Sequence, residues 1–94
     1  MSFLSLYLVK RPEDIPGGYD TYDSFVVCCE TIEGARNTHP GSSPAKVGRG
    51  WEEGSYQEET WVYWSQKDRV VVKKIGQASD DMKVGVVCHS FNAG

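Results

Sequence analysis

The order of apolar and polar residues along the first third of the chain predicts two β-strands. Residues 3–10 alternate, and Leu4, Leu6 and Leu8 share one side, so this period of two predicts a strand whose leucine side faces the core. Phe25 to Cys29 is an apolar run rich in β-branched residues. Such a run is typical of a central strand that is covered on both faces or has neighbours on both edges.

A short helix is predicted directly after the central strand. The hydroxyl of Thr31 can cap its first turn. Ile32, Ala35 and His39 recur at helical spacing, and Pro40 is expected to end the helix.

The rest of the chain predicts a long loop and two further strands. Residues 41–59 are rich in glycine and show no period, and residues 60–65 are aromatic and suit a short strand or a turn. The β-rich runs at 69–76 and 84–91 are separated by a short polar turn and predict a hairpin. The expected fold is therefore α+β, with a four-stranded, mostly antiparallel sheet and one short helix on one face.

Length, charge and cysteine content narrow the class of protein. The 94 residues suit a single domain, 1–94, with a long flexible loop at about 41–59. A net charge of −3 gives no broad attraction for nucleic acid, so no direct nucleic-acid partner is expected. The first ten residues are too short an apolar stretch for a signal peptide or a membrane span. An odd cysteine count, with two cysteines adjacent, favours free thiols in a reducing cytoplasm.

No residue pattern indicates a reaction. Cys28 and Cys29 point to opposite faces of a strand and cannot readily share one metal site with Cys88 and His89, so they are expected to pack as small hydrophobic residues. Mid-strand cysteines also lack the exposed, electropositive setting of a nucleophile. The carboxylate pairs at 52–53, 58–59 and 80–81 lie in polar loops, where solvated charges are the rule. We therefore expect no enzyme activity, no metal and no cofactor.

Cations and aromatic residues are concentrated between residues 36 and 64 and form the candidate binding region. Two interpretations stay open: aromatic anchors for a protein partner, or a pocket in which cations contact phosphate and rings stack on a small nucleotide-like ligand. Four nearby glutamates would repel an anion and favour the protein partner. The exposed edges of a small sheet also favour a homo-oligomer. The candidate residues are Arg36, His39, Arg49, Trp51, Tyr56 and Trp61.

Four stretches together carry a resemblance to a known group of proteins. They are the strand and helix ending at His39-Pro40, a tryptophan-bearing segment, the run from Val70 to Ala78, and the segment that closes with Ser90-Phe91-Asn92-Ala93-Gly94. In these stretches the chain resembles small proteins encoded by bacteriophages, many of which end in a similar Ser-Phe-Asn-Ala-Gly. The resemblance implies a phage origin and an intracellular site of action, in the cytoplasm of a host cell. The expected function is a non-enzymatic phage protein that binds and inhibits a host protein, such as a component of antiviral defence.

Overall fold

The computed structural model describes residues 3–14, 21–41, 44–48, 61–62 and 68–92. They form an α+β fold with a four-stranded antiparallel sheet and one short helix, as predicted. The elements are β1 (Ser5–Lys10), β2 (Thr21–Cys29), α1 (Ile32–Arg36), a 3₁₀ turn (Pro44–Lys46), β3 (Val71–Gln77) and β4 (Gly85–Asn92).

The order of the strands across the sheet is β3-β1-β2-β4. β2 is a central strand, as predicted, because β1 pairs with one of its sides and β4 with the other. The predicted hairpin of residues 69–76 and 84–91 is wrong: β3 and β4 lie at opposite edges and pair with β1 and β2. The two runs are neighbours in sequence only. The seven residues between them can span about 23 Å, which exceeds the width of two intervening strands.

One face of the sheet is covered and forms the core face. Opposite pairs on the two central strands, Tyr7 with Val27 and Val9 with Phe25, point towards α1 and are buried. The buried cluster on this face consists of Tyr7, Val9, Phe25, Val27, Cys29, Ala35, Trp61, Val62 and Val70. Apolar side chains from the sheet, the helix and two later segments therefore share one core.

The predicted orientation of β1 is wrong. Ser5, Tyr7 and Val9 are the buried residues of this strand, and the leucines on the other side are half-buried. The alternation itself is correct, since the two sides of β1 do differ. A period of two does not indicate which side α1 will cover, and here α1 packs over the tyrosine and valine side.

Helix α1 is shorter than predicted. Thr31 caps it, since its Oγ1 accepts a hydrogen bond from the Gly34 N–H at 2.9 Å. The helix ends at Arg36, four residues before Pro40, so His39 lies outside it, and Ile32 is 45 % exposed. The hydroxyl of Thr38 donates to the Gly34 carbonyl at 2.7 Å. This bond satisfies one of the carbonyls that a helix end leaves free.

The 3₁₀ turn returns the chain to α1. The N–H of Gly48 donates to Thr38 Oγ1 at 2.9 Å, and Gly48 has a φ of 80°, which favours glycine. Trp61 and Val62 are buried, but they belong to neither a helix nor a strand. The other residues of the predicted 60–65 segment lie outside the described residues. In the described part of the chain, no helix is long and apolar enough to cross a membrane.

Candidate functional site

Arg36, the first predicted binding residue, holds the helix to the strand at the edge of the sheet. Its Nη1 donates to the carbonyl of Val70 at 2.9 Å and to that of Asp68 at 3.1 Å. Its Nε lies 3.9 Å from a carboxylate oxygen of Glu33. Only 19 % of the Arg36 side chain is exposed. These contacts join α1 to the segment that leads into β3.

His39 is buried and holds a turn. Its Nδ1 accepts a hydrogen bond from the Gly41 N–H at 2.9 Å, so the proton of the neutral ring is on Nε2. The Tyr22 ring meets the His39 ring edge-on, with centroids 5.8 Å apart, and meets the exposed His89 ring in the same way at 5.0 Å. Tyr22 was considered from the sequence as a surface aromatic anchor, and the fold places its half-buried ring between these two histidines.

Trp61 is a core residue with 1 % exposure. Its ring makes an edge-on contact with Phe25, with centroids 5.4 Å apart, and the Arg11 guanidinium lies 5.4 Å from the ring centre. Arg11 also donates from Nε and Nη2 to the carbonyl of Tyr22, at 3.1 and 2.7 Å. The pKa of Arg11 is lowered from its usual value, because the effect of burial exceeds the opposing effect of the nearby Asp23 carboxylate.

The predicted binding residues are therefore not assembled into one described site. Arg36, His39 and Trp61 occupy three separate structural positions, as a helix clamp, a turn and a core side chain. Arg49, Trp51 and Tyr56 lie outside the described residues. The pocket for a nucleotide-like ligand stays a prediction for this reason.

The face of the sheet opposite the core is the clearest candidate surface. We call it the leucine face. Cross-strand pairing places these residues on it: Leu6, Leu8, Lys10, Ser24, Val26, Cys28, Val71, Lys73, Cys88 and Ser90. Among the described residues, α1, Trp61 and Val62 all pack on the other face. At one end of the leucine face, the Pro44 ring lies against Gly85. A Cβ atom added to this glycine would be 3.6 Å from the Pro44 Cγ.

The leucine face has an apolar centre with lysines on one side. Leu6, Leu8 and Val26 are half-buried at its centre, and Val71 is 53 % exposed at the β3 edge. Lys73 lies opposite Leu8, and Lys10 lies opposite Val71, so both lysines adjoin the apolar centre. No acidic residue is among the residues that define this face. The surface is therefore apolar and locally basic on a chain whose net charge is −3.

The three cysteines are free thiols with different surroundings. Burial raises the pKa of both Cys28 and Cys29. The Cys29 thiol also donates a hydrogen bond to the Thr31 carbonyl at 3.3 Å. Cys88 is exposed on β4. No three histidine, cysteine or acidic side chains among the described residues are grouped so that they could hold a metal ion.

Comparison of the chain with protein-family models, with curated proteins and with solved structures gave no match.

Proposed function

We propose that this chain is a non-enzymatic phage protein that binds and inhibits a host protein, and that the leucine face is its docking surface. The phage origin rests on the sequence resemblance. The single observation that carries the docking surface is the apolar, lysine-flanked face that α1 leaves open. Exposed apolar patches with a polar border are typical of protein-binding sites.

The chemistry of this face defines the kind of partner. Half-buried leucine and valine side chains suit an apolar patch on the partner, and they contribute through burial. Lys10 and Lys73 suit carboxylates placed at the border of that patch, where complementary charge mainly raises the association rate. The proposed partner is thus an acidic host protein with an apolar surface patch.

The described contacts of Arg36 also favour this function over capture of an anion. Its Nη1 donates to two backbone carbonyls, so this nitrogen would have to leave both of them to contact a phosphate. The leucine face requires no such rearrangement, because Val71 and Lys73 are already exposed.

Two exposed aliphatic side chains on different faces of the sheet give a test with a control. Val71 on the leucine face is 53 % exposed, and Ile32 on α1, which covers the other face, is 45 % exposed. Val71→Glu places a carboxylate against an acidic partner, so we expect loss of at least tenfold in affinity. Ile32→Glu is expected to bind normally.

The measurement has two stages. The wild-type chain and both variants are used to capture proteins from bacterial host lysate. Each protein that is retained by wild type and I32E but lost by V71E is purified and titrated. Its activity is then assayed with added wild-type chain. Equal capture by all three chains, or a partner whose activity is unchanged, would refute the proposal.

A further inference from the structure

The two edges of the sheet differ in charge. β3 carries Lys73 and Lys74 and has an irregular register with β1 beside them. Lysines and bulges on an edge strand prevent it from pairing with another chain. β4 has no Lys, Arg, Asp or Glu between Gly85 and Asn92. Only the β3 edge therefore carries charges that oppose pairing.

The outer edge of β4 pairs with no other strand among the described residues, since β2 occupies the inner edge. Residues 87–90 are all exposed. An exposed edge presents a row of backbone N–H and C=O groups that can pair with a further strand.

The usable length of this edge begins after a bulge. Val86 pairs with Val27 and Cys88 with Val26, so Val87 is an extra residue on β4 and interrupts the regular alternation. From residue 88 to residue 92, every β4 residue has its own partner on β2. The second register shift, between residues 90 and 91, comes from an extra residue on β2, Asp23, so β4 itself has no inserted residue from 88 to 92.

We propose that residues 88–92 pair antiparallel with the same residues of a second copy of this chain. The register that uses all five residues sets Ser90 opposite the same residue of the second copy, on the two-fold axis. A strand without lysine, arginine, aspartate or glutamate can face itself without opposing such charges, and a serine pair can share a hydrogen bond.

This register has a structural consequence. Ser90 lies on the leucine face, because it pairs with Ser24. A residue that faces itself across an antiparallel pair points to the same side in both copies. The dimer therefore has an eight-stranded sheet with the two leucine faces on the same side. The dimer does not depend on the proposed function, since the edge pairs through backbone groups of β4 and the leucine face acts through side chains.

The expected dimer is weak. Five paired residues bury much less surface than a standard stable interface. We expect a dissociation constant of roughly 10–100 µM. The interface is thus populated at high concentration and lost on dilution.

The first test is sedimentation velocity over a concentration series that reaches about 500 µM. Ser90→Lys sets two like charges opposite each other on the axis, so we expect at least a tenfold rise in the dissociation constant. Val71→Lys introduces the same charge at the opposite edge and is expected to leave the dimer unchanged. Thermal melting of each variant checks that it folds.

The second test fixes the register. Ser90→Cys brings two Cα atoms to within about 5.5 Å, which a disulfide can bridge, so oxidation should cross-link this variant. The native Cys88 thiols of the two copies would be displaced by about 13 Å along the strands and should not cross-link.

Three outcomes would overturn the proposal. A wild-type chain that stays monomeric at the highest concentration excludes the dimer. Loss of the dimer in V71K, with retention in S90K, assigns association to the leucine face. A monomer that binds an extended peptide along β4, detected by protection of its backbone amides from exchange, assigns the edge to a different partner.

Discussion

The role of Arg36 can be tested by Arg36→Met, which removes the guanidinium and keeps most of the aliphatic side chain. In the wild-type chain one nitrogen, Nη1, donates to the carbonyls of Val70 and Asp68. The side chain is 19 % exposed, so these bonds are partly shielded from water. The change therefore removes the polar link between α1 and the start of β3.

The magnitude follows from these contacts. A hydrogen bond from a charged donor contributes about 1.5–3 kcal/mol net. Because both bonds come from one nitrogen and Asp68 is exposed, we expect a total loss of about 2–3 kcal/mol in the free energy of unfolding. The ion pair with Glu33 adds under about 0.5 kcal/mol, since that side chain is 70 % exposed. In a domain of this size the loss lowers Tm by roughly 10–20 °C.

Urea denaturation followed by far-ultraviolet circular dichroism measures this loss. The matched control is Glu33→Gln, which removes the weak ion pair and should stay within about 0.5 kcal/mol of wild type. An Arg36→Met variant as stable as wild type would refute the clamp. If that variant also lost affinity for a ligand, Arg36 would be a binding residue after all.

Two further predictions concern the core and the buried thiols. Trp61→Ala should lower the free energy of unfolding, measured by urea denaturation, by about 3–5 kcal/mol. Trp61→Phe should stay within about 1 kcal/mol of wild type, because the indole Nε1 has no hydrogen-bond partner among the described residues. Equal losses in the two variants would contradict this reasoning. The raised pKa of Cys28 means that, above about pH 9, the unfolded chain ionises this thiol while the folded chain keeps it protonated. The stability that this protonated thiol contributes is complete below that pH and is lost as pH rises through the folded pKa. Cys28→Ala should therefore reduce the fall in the free energy of unfolding at alkaline pH by up to about 1.4 kcal/mol per pH unit. The measurement is urea denaturation from pH 7 to 10 under reducing conditions. An unchanged slope in Cys28→Ala would show that this thiol does not contribute.

Local features of the chain predicted its elements well. Thr31 caps α1 because a hydroxyl followed by a short helical segment is a local signal, and the bond to Gly34 needs no distant residue. The run from Phe25 to Cys29 predicted a central strand because apolar side chains on both sides of a strand require neighbours. Fold class follows from such patterns when the elements are few.

The positions of the candidate binding residues depended on contacts that are distant in sequence. Arg36 meets Val70 across 34 residues, and His39 is buried beside Tyr22 of β2. The spacing of cations and aromatic residues along the chain could not show that these two side chains hold the fold together. The leucine face was also missed, because its residues come from four strands and share a face only after the sheet forms.

What the sequence by itself determined was the period of each strand, the cap of the helix and the number of elements, since these depend on residues within a few positions of one another. Tertiary structure alone decided which side of β1 is buried and which strands lie at the edges. Tyr7 and Val9, rather than the leucines, face the core because α1, Trp61 and Val62 pack on their side. β3 and β4 are edge strands because each pairs with a different central strand. Both features depend on which apolar surfaces pack into the shared core, and a local sequence pattern does not predict that packing.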